Sequence, residues 1–170
     1  ITGATGIEIR AGKLTVNEGT TITATGDYVE PVANPSGTTV GGVAVAVSQH
    51  TTQLAINVAI TGGTFNATGK DGKAFLEIDT VQKEDAEPSE GVTASITGGT
   101  FNAPVEAWNI TGFIEGGDFG VKPADELMNE NYAAEYVNGR YVAVPSTALK
   151  EARLAAQADV RAYAATMGFV

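Results

Sequence analysis

Residues 60–67 read ITGGTFNA, and residues 96–103 repeat them letter for letter. A degraded third copy, IEGGDFG, occupies residues 114–120. The copies begin 36 and then 18 residues apart. An eight-residue identity in a chain of 170 residues marks an internal repeat, and a repeat determines architecture ahead of chemistry. The large apolar side chains of each copy are the Ile and the Phe. Stacked copies would set Ile60, Ile96 and Ile114 in one internal ladder and Phe65, Phe101 and Phe119 in another, at the ~4.8 Å spacing of neighbouring strands. The Gly-Gly pair between them suits a corner, since it accepts positive φ without a Cβ clash and lets the backbone bend sharply. One copy cannot bury its own apolar face, so adjacent copies stabilise one another.

The rest of the chain has the same rhythm. Ile7-Glu8-Ile9, Leu14-Thr15-Val16 and Thr21-Ile22-Thr23 each alternate as a short strand, with turns at Ala11-Gly12 and Asn17-Glu18-Gly19. The run TITATG ends at Gly26; its Ile22 lies 38 residues before Ile60, so it reads as a divergent copy of the same corner. Residues 43–47, 54–60, 75–79 and 92–96 are further strands. Residues 27–42 and the charged stretch 82–91, QKEDAEPSEG, are excursions, which makes the 36-residue spacing a coil plus a loop. Residues 105–120 form a compact coil with no excursion.

After Gly120 the pattern changes. Pro123 to Met128 suits one helical turn with proline at its start. Asn138-Gly139 between alternating runs is a strong hairpin signal, and a hairpin here would cover the open end of the stack. Residues 148–167 are rich in helix formers, with Ser146 or Thr147 available to start the helix and Gly168 to end it. Leu149, Ala156, Val160, Tyr163, Met167 and Val170 form a stripe of about three heptads. Docking of this helix on its own domain is the ordinary expectation; self-association is the sharper one.

At ITGGTFNA, with GIEIRAGKLTVNEGT (residues 6–20) and YAAEYVNGRYVAV (residues 132–144), the sequence resembles a known class. It is similar to the pectate-lyase-like, right-handed parallel β-helix repeat regions of large bacterial surface proteins, notably of Gram-positive gut bacteria. Those regions carry I-(S/T)-G-G-T-F repeats and often finish in a Tyr-rich NG-x-Y-x-V segment. Similar repeats occur in phage tail and capsid-associated proteins. The resemblance spans residues 6–144 and leaves the C-terminal helix outside it. It implies the fold strongly and the function weakly.

Composition narrows the partners. Apolar residues make up 43%, which argues against global disorder, and the 21 glycines and 21 threonines favour strands and tight turns. A net charge of -10 disfavours nucleic acid and anionic membrane surfaces. There is no cysteine, which fits a cytosolic protein or a secreted one held by repeat stacking. No apolar run approaches the ~18 residues of a membrane span. No signal peptide is visible, but the chain starts at Ile1 rather than Met, so the expectation is a processed form or a fragment from which a signal could have been removed.

A lyase of the resembled class needs clustered carboxylates for calcium and a base for the proton α to a carboxylate. The carboxylates on offer are Glu77, Asp79, Glu106, Glu115 and Asp118; the bases within the coils are Arg10, Lys13, Lys70, Lys73 and Lys83, none opposite an acidic ladder in the repeat frame. Glu115 and Asp118 replace Thr97 and Thr100 of the previous copy and are candidate ligand contacts, with solvated surface charge as the plainer reading. His50 is the sole histidine, which excludes a multi-histidine zinc site and places it as a loop residue. Thr23, Thr61 and Thr97 align in this frame, a short array that suits strand formation better than ice binding. Trp108, the sole tryptophan, and Tyr28 are candidate sugar-stacking aromatics, although burial is commoner for a lone tryptophan.

The expected fold is all-β: a right-handed parallel β-helix of about four coils, over residues 1–120, with a capping turn and hairpin at 121–145 and a helix at 146–170. The expected role is a non-enzymatic, extracellular structural or attachment module at a cell or virion surface. It would have no cofactor or metal, and a protein partner or a second copy would bind through the helix. A glycan-binding or lyase-like domain is one alternative, and a virion decoration or fibre protein is another.

Overall fold

In a computed structural model, residues 1–31, 40–81 and 86–168 are described. The chain is mostly β, with parallel sheets and one C-terminal helix. The strands begin with β1 (Thr2–Gly3), β2 (Ile7–Ile9), β3 (Gly12–Val16) and β4 (Thr21–Ala24). Next come β5 (Val43–Ser48), β6 (Ile56–Ile60), β7 (Thr64–Ala67), β8 (Lys73–Ile78), β9 (Thr80–Val81) and β10 (Ala86–Glu87). Then follow β11 (Val92–Ile96), β12 (Thr100–Phe101), β13 (Val105–Ala107) and β14 (Asp118–Phe119). A 3-10 turn (Asp125–Leu127), β15 (Tyr132–Val137), β16 (Arg140–Pro145) and helix α1 (Thr147–Thr166) complete the order.

From β2 to β13 the chain visits three sheets in a recurring sequence. β2, β5, β8 and β13 form a four-stranded sheet, β3, β6 and β11 a three-stranded one, and β1, β4, β7, β12, β14, β16 and β15 a seven-stranded one. Within the first two sheets all pairings are parallel; the seven-stranded sheet is parallel until β16 and β15 close it antiparallel. β9 and β10 pair antiparallel outside these sheets, with β10 inside the second excursion and β9 just before it. Residues 32–39 of the first excursion and 82–85 of the second, Lys83 among them, lie outside the described residues, as does Val170.

The repeat sets the register. Ile60 pairs with Ile96, and Ile96 bridges Ile114. Phe65 pairs with Phe101, and Phe101 with Phe119. All six are fully buried. The rings stack, with 4.6 Å and 10° between Phe65 and Phe101, and 5.0 Å and 12° between Phe101 and Phe119. Such pairs add roughly 1 kcal/mol each beyond their area burial. The columns extend further than the identical letters do. Val16 opposes Ile60, Met128 follows Ile114, and Tyr141 closes the Phe column against Phe119.

One expected alignment is corrected. Ile22 belongs to the Phe column, opposite Phe65, and not to the Ile column. The corner from Val16 to Ile22 is one residue longer than the corner from Ile60 to Phe65, and matching letters across it slips the frame. Thr23 therefore pairs with Asn66, while the Thr61 hydroxyl donates to Asn17 Oδ1 at 2.8 Å. The in-register threonine row is Thr21, Thr64 and Thr100, ending at Asp118. Beside it Asn66 Nδ2 donates to Thr23 Oγ1 at 3.2 Å, and Asn102 Nδ2 donates to Asn66 Oδ1 at 2.7 Å.

The two glycines of each corner serve different ends. Gly63, Gly99 and Gly117 adopt φ of +103°, +109° and +111°, a region that side chains rarely enter. The first glycine is needed for closeness: a Cβ on Gly98 would lie 2.5 Å from the Thr61 carbonyl oxygen, and one on Gly116 2.1 Å from that of Thr97.

β5 is buried along its whole length, so the four-stranded sheet is covered on both faces. Val45, Val47 and Phe75 face the main core. Val43, Ala46, Leu76 and Ile78 form a second cluster on the other side with Val40 and Tyr28, from the ends of the first excursion. At the far end, Asn138 and Gly139 take φ of +51° and +88°, the two positive values of a tight hairpin turn. Arg140 ties this hairpin back: its Nε donates to Asp118 Oδ1, and its Nη2 donates to the Phe101 carbonyl at 3.2 Å.

Helix α1 ends at Gly168, with φ +75°. The expectation that it docks on its own domain is corrected. Ala156, Val160, Tyr163 and Met167 are all exposed, as is Leu154. Leu149 lies in its first turns. Lys150 Nζ, 3.2 Å from Glu135 Oε1, is the ion pair holding the helix start to the hairpin.

Candidate functional site

Strand β13 exits the four-stranded sheet into a short tip at Trp108 and Asn109. Alternation sends Val105 and Ala107 to the core and Glu106 and Trp108 outward. Trp108 is 47% exposed, which corrects the expectation of burial. It lines a cleft of about 160 Å³ with Val105, Glu106 and Ala107 on one side and Ala124, Glu126 and Leu127 from the 3-10 turn on the other. The lining mixes apolar side chains with the carboxylate-bearing residues Glu106 and Glu126.

The tip is held from beneath. Glu77, fully buried in β8, faces the interior with Phe75. Its Oε2 accepts the N–H groups of Trp108 at 3.0 Å and Asn109 at 2.8 Å, and its Oε1 accepts Asn109 Nδ2 at 2.9 Å and the Ser89 hydroxyl at 2.6 Å. The Glu77 carbonyl also accepts the Trp108 N–H at 3.1 Å. A buried carboxylate with several donors is costly to disturb. Trp108 is thus exposed on a backbone with little freedom.

Three more side chains continue the surface. Lys73 Nζ lies 2.7 Å from Glu106 Oε1 and 4.5 Å from the Tyr28 ring centroid. A base on β8 therefore does face a carboxylate on the neighbouring strand β13. The Tyr28 hydroxyl donates to Glu30 Oε2 at 2.8 Å. Burial first, and the Glu30 carboxylate second, raise the Tyr28 pKa, so the phenol keeps its proton. The structure thus brings the candidate aromatics Trp108 and Tyr28 onto one continuous surface through Glu106 and Lys73.

The other candidates lie apart from it. Glu115 Oε1 accepts from Asn129 Nδ2 at 3.1 Å, and Asp118 is paired with Arg140. His50 sits in a turn where its Nδ1 accepts the Thr52 N–H at 3.1 Å. No group of three or more metal-ligating side chains occurs among the described residues. The anchoring role of Glu77 and the part of Glu126 were missed in the sequence. A carboxylate in phase with Phe75, inside an apolar strand, was the available signal for the first.

Comparison with family models, curated proteins and solved structures finds no match for this chain. Among the described residues, no helix is long and apolar enough to cross a membrane.

Proposed function

We propose that the chain is a non-enzymatic structural or attachment module: a right-handed parallel β-helix that holds two excursions and a helix away from a rigid body. The single observation that carries this reading is helix α1. Among the described residues of its apolar stripe, Val160 is 67%, Tyr163 68% and Met167 56% exposed. A 20-residue helix gains most of its stability from packing one face, so this face is suited to a partner or a second copy.

The β-helix reading is supported by the recurring order in which the chain visits three sheets from β2 to β13, all paired in parallel over that span, and by the continuous Ile and Phe columns. The non-enzymatic reading is supported by the commitments of the carboxylates. Glu77 anchors the Trp108 tip, Glu106 pairs with Lys73, and Asp118 pairs with Arg140. Placement at an extracellular, cell or virion surface belongs to the same proposal and rests on the sequence resemblance.

Sedimentation of the intact chain against a Val160→Glu, Tyr163→Glu variant tests it. The expected result is a self-associated species, or one held by a partner protein, that the variant releases as monomer. A wild-type chain with the sedimentation and partner profile of the variant removes the attachment reading. Unsaturated-uronate absorbance appearing with pectin would replace it with a lyase.

A further inference from the structure

We infer that the Trp108 cleft is a binding subsite for one neutral pyranose residue of a glycan. This goes beyond the scaffold reading and does not depend on the helix. The geometry selects the ligand. Trp108 offers an exposed indole face on a backbone fixed by Glu77, so little side-chain or loop ordering accompanies binding. The C–H face of a pyranose carries partial positive charge and is attracted to the negative face of an indole, as other electropositive groups are. Ala107 and Leu127 line the same cleft beside the indole. Glu106 and Glu126 at the rim are acceptors, matched to ring hydroxyls as donors.

Two other ligand classes fit less well. An organic cation is enclosed by aromatic faces on several sides in the sites that recognise it; here Trp108 is the one aromatic residue lining the cleft, and Glu106 is already neutralised by Lys73 at 2.7 Å. A uronate would bring a negative charge to a rim of carboxylates in a chain of net charge -10. The volume of about 160 Å³ suits one sugar ring and not a long groove-bound chain.

Trp108 is the sole tryptophan, so intrinsic fluorescence reports this cleft alone. The intact protein is titrated with the methyl glycosides of glucose, galactose, mannose, xylose and N-acetylglucosamine, and separately with tetramethylammonium chloride and galacturonate. The expected result is a saturable emission change with at least one neutral glycoside, at a Kd on the order of 1 mM. Glu126→Gln, an exposed change that leaves the fold intact, should weaken it about tenfold. Calorimetry on Trp108→Ala should show no heat of binding. A response to tetramethylammonium or to galacturonate without one to the neutral glycosides overturns the assignment. So does silence from all the glycosides while acrylamide quenches the indole freely.

Discussion

The Phe101 ring lies parallel to that of Phe65, with 4.6 Å between centroids and 10° between planes. It lies equally parallel to Phe119 on its other side, so it is the middle member of a three-ring column inside the core. Phe101→Ala removes two stacks and leaves a cavity in a fully buried position between paired strands. The expected loss is about 3–5 kcal/mol, read as a lower urea midpoint at unchanged slope. Phe101→Leu should lose less. A loss within the scatter of surface variants would show that the column is incidental.

The corner glycines predict a ranking by mechanism. Gly98→Ala drives a methyl to within 2.5 Å of the Thr61 carbonyl oxygen, a backbone atom that cannot yield without separating two neighbouring corners. Gly12→Ala meets open space and bears only the strain of φ +89°, about 1–3 kcal/mol. Thermal unfolding should therefore rank Gly98→Ala as the more damaging, and the reverse order would contradict the close-approach account.

Glu77→Gln tests the anchor beneath Trp108. The amide turns one acceptor into a donor facing donors, leaving a buried group unsatisfied at a cost of about 1–3 kcal/mol. Trp108 emission should shift to longer wavelength and its anisotropy should fall as the tip loosens. An unchanged spectrum with full stability would mean that the carbonyl contacts alone hold the tip.

Glu8 gives the stability a pH dependence. Its pKa is raised chiefly by burial, against the opposing pull of Arg10, the Val40 backbone and Ser48. Its Oε1 is buried with no hydrogen-bond partner among the described residues. A folded-state pKa above the unfolded value means that the folded state holds the proton more tightly. The contribution of Glu8 is then fully present below the unfolded carboxyl range and is lost as pH rises through the raised value. Unfolding curves across mildly acid pH should show Glu8→Gln flatter than wild type and more stable at neutral pH. Parallel curves for the two proteins would exclude Glu8 as the source.

The Ile and Phe columns were legible because identical letters recur where identical contacts recur. The hairpin was legible because Asn138-Gly139 permits little else between two alternating runs. Val16 and Ile22 were misplaced because one extra residue in their corner breaks the count while preserving the contacts. The phase of Trp108 was written beside Glu106, two residues earlier on the same face, yet its exposure follows from how the 3-10 turn at Asp125–Leu127 leaves room beside it. The Glu77 anchor depends on a turn 31 residues further on, a pairing that no local pattern encodes. The helix was legible as a helix. What it packs against is a property of the assembly, which a heptad stripe does not name.

The antiparallel hairpin has a bearing on length control. Every strand of the seven-stranded sheet before it offers the next one a parallel edge, and a parallel sheet has no intrinsic size. Where β16 reverses direction against β14, with Arg140 fastened to Asp118 and to the Phe101 carbonyl, the next edge runs the wrong way for another copy of the repeat. The hairpin thus works as a terminator, making the stack one-sided in growth and finite at this end. Loosening Arg140 would therefore threaten more than local stability, because it would re-expose the parallel edge of β14 to any coil of matching register.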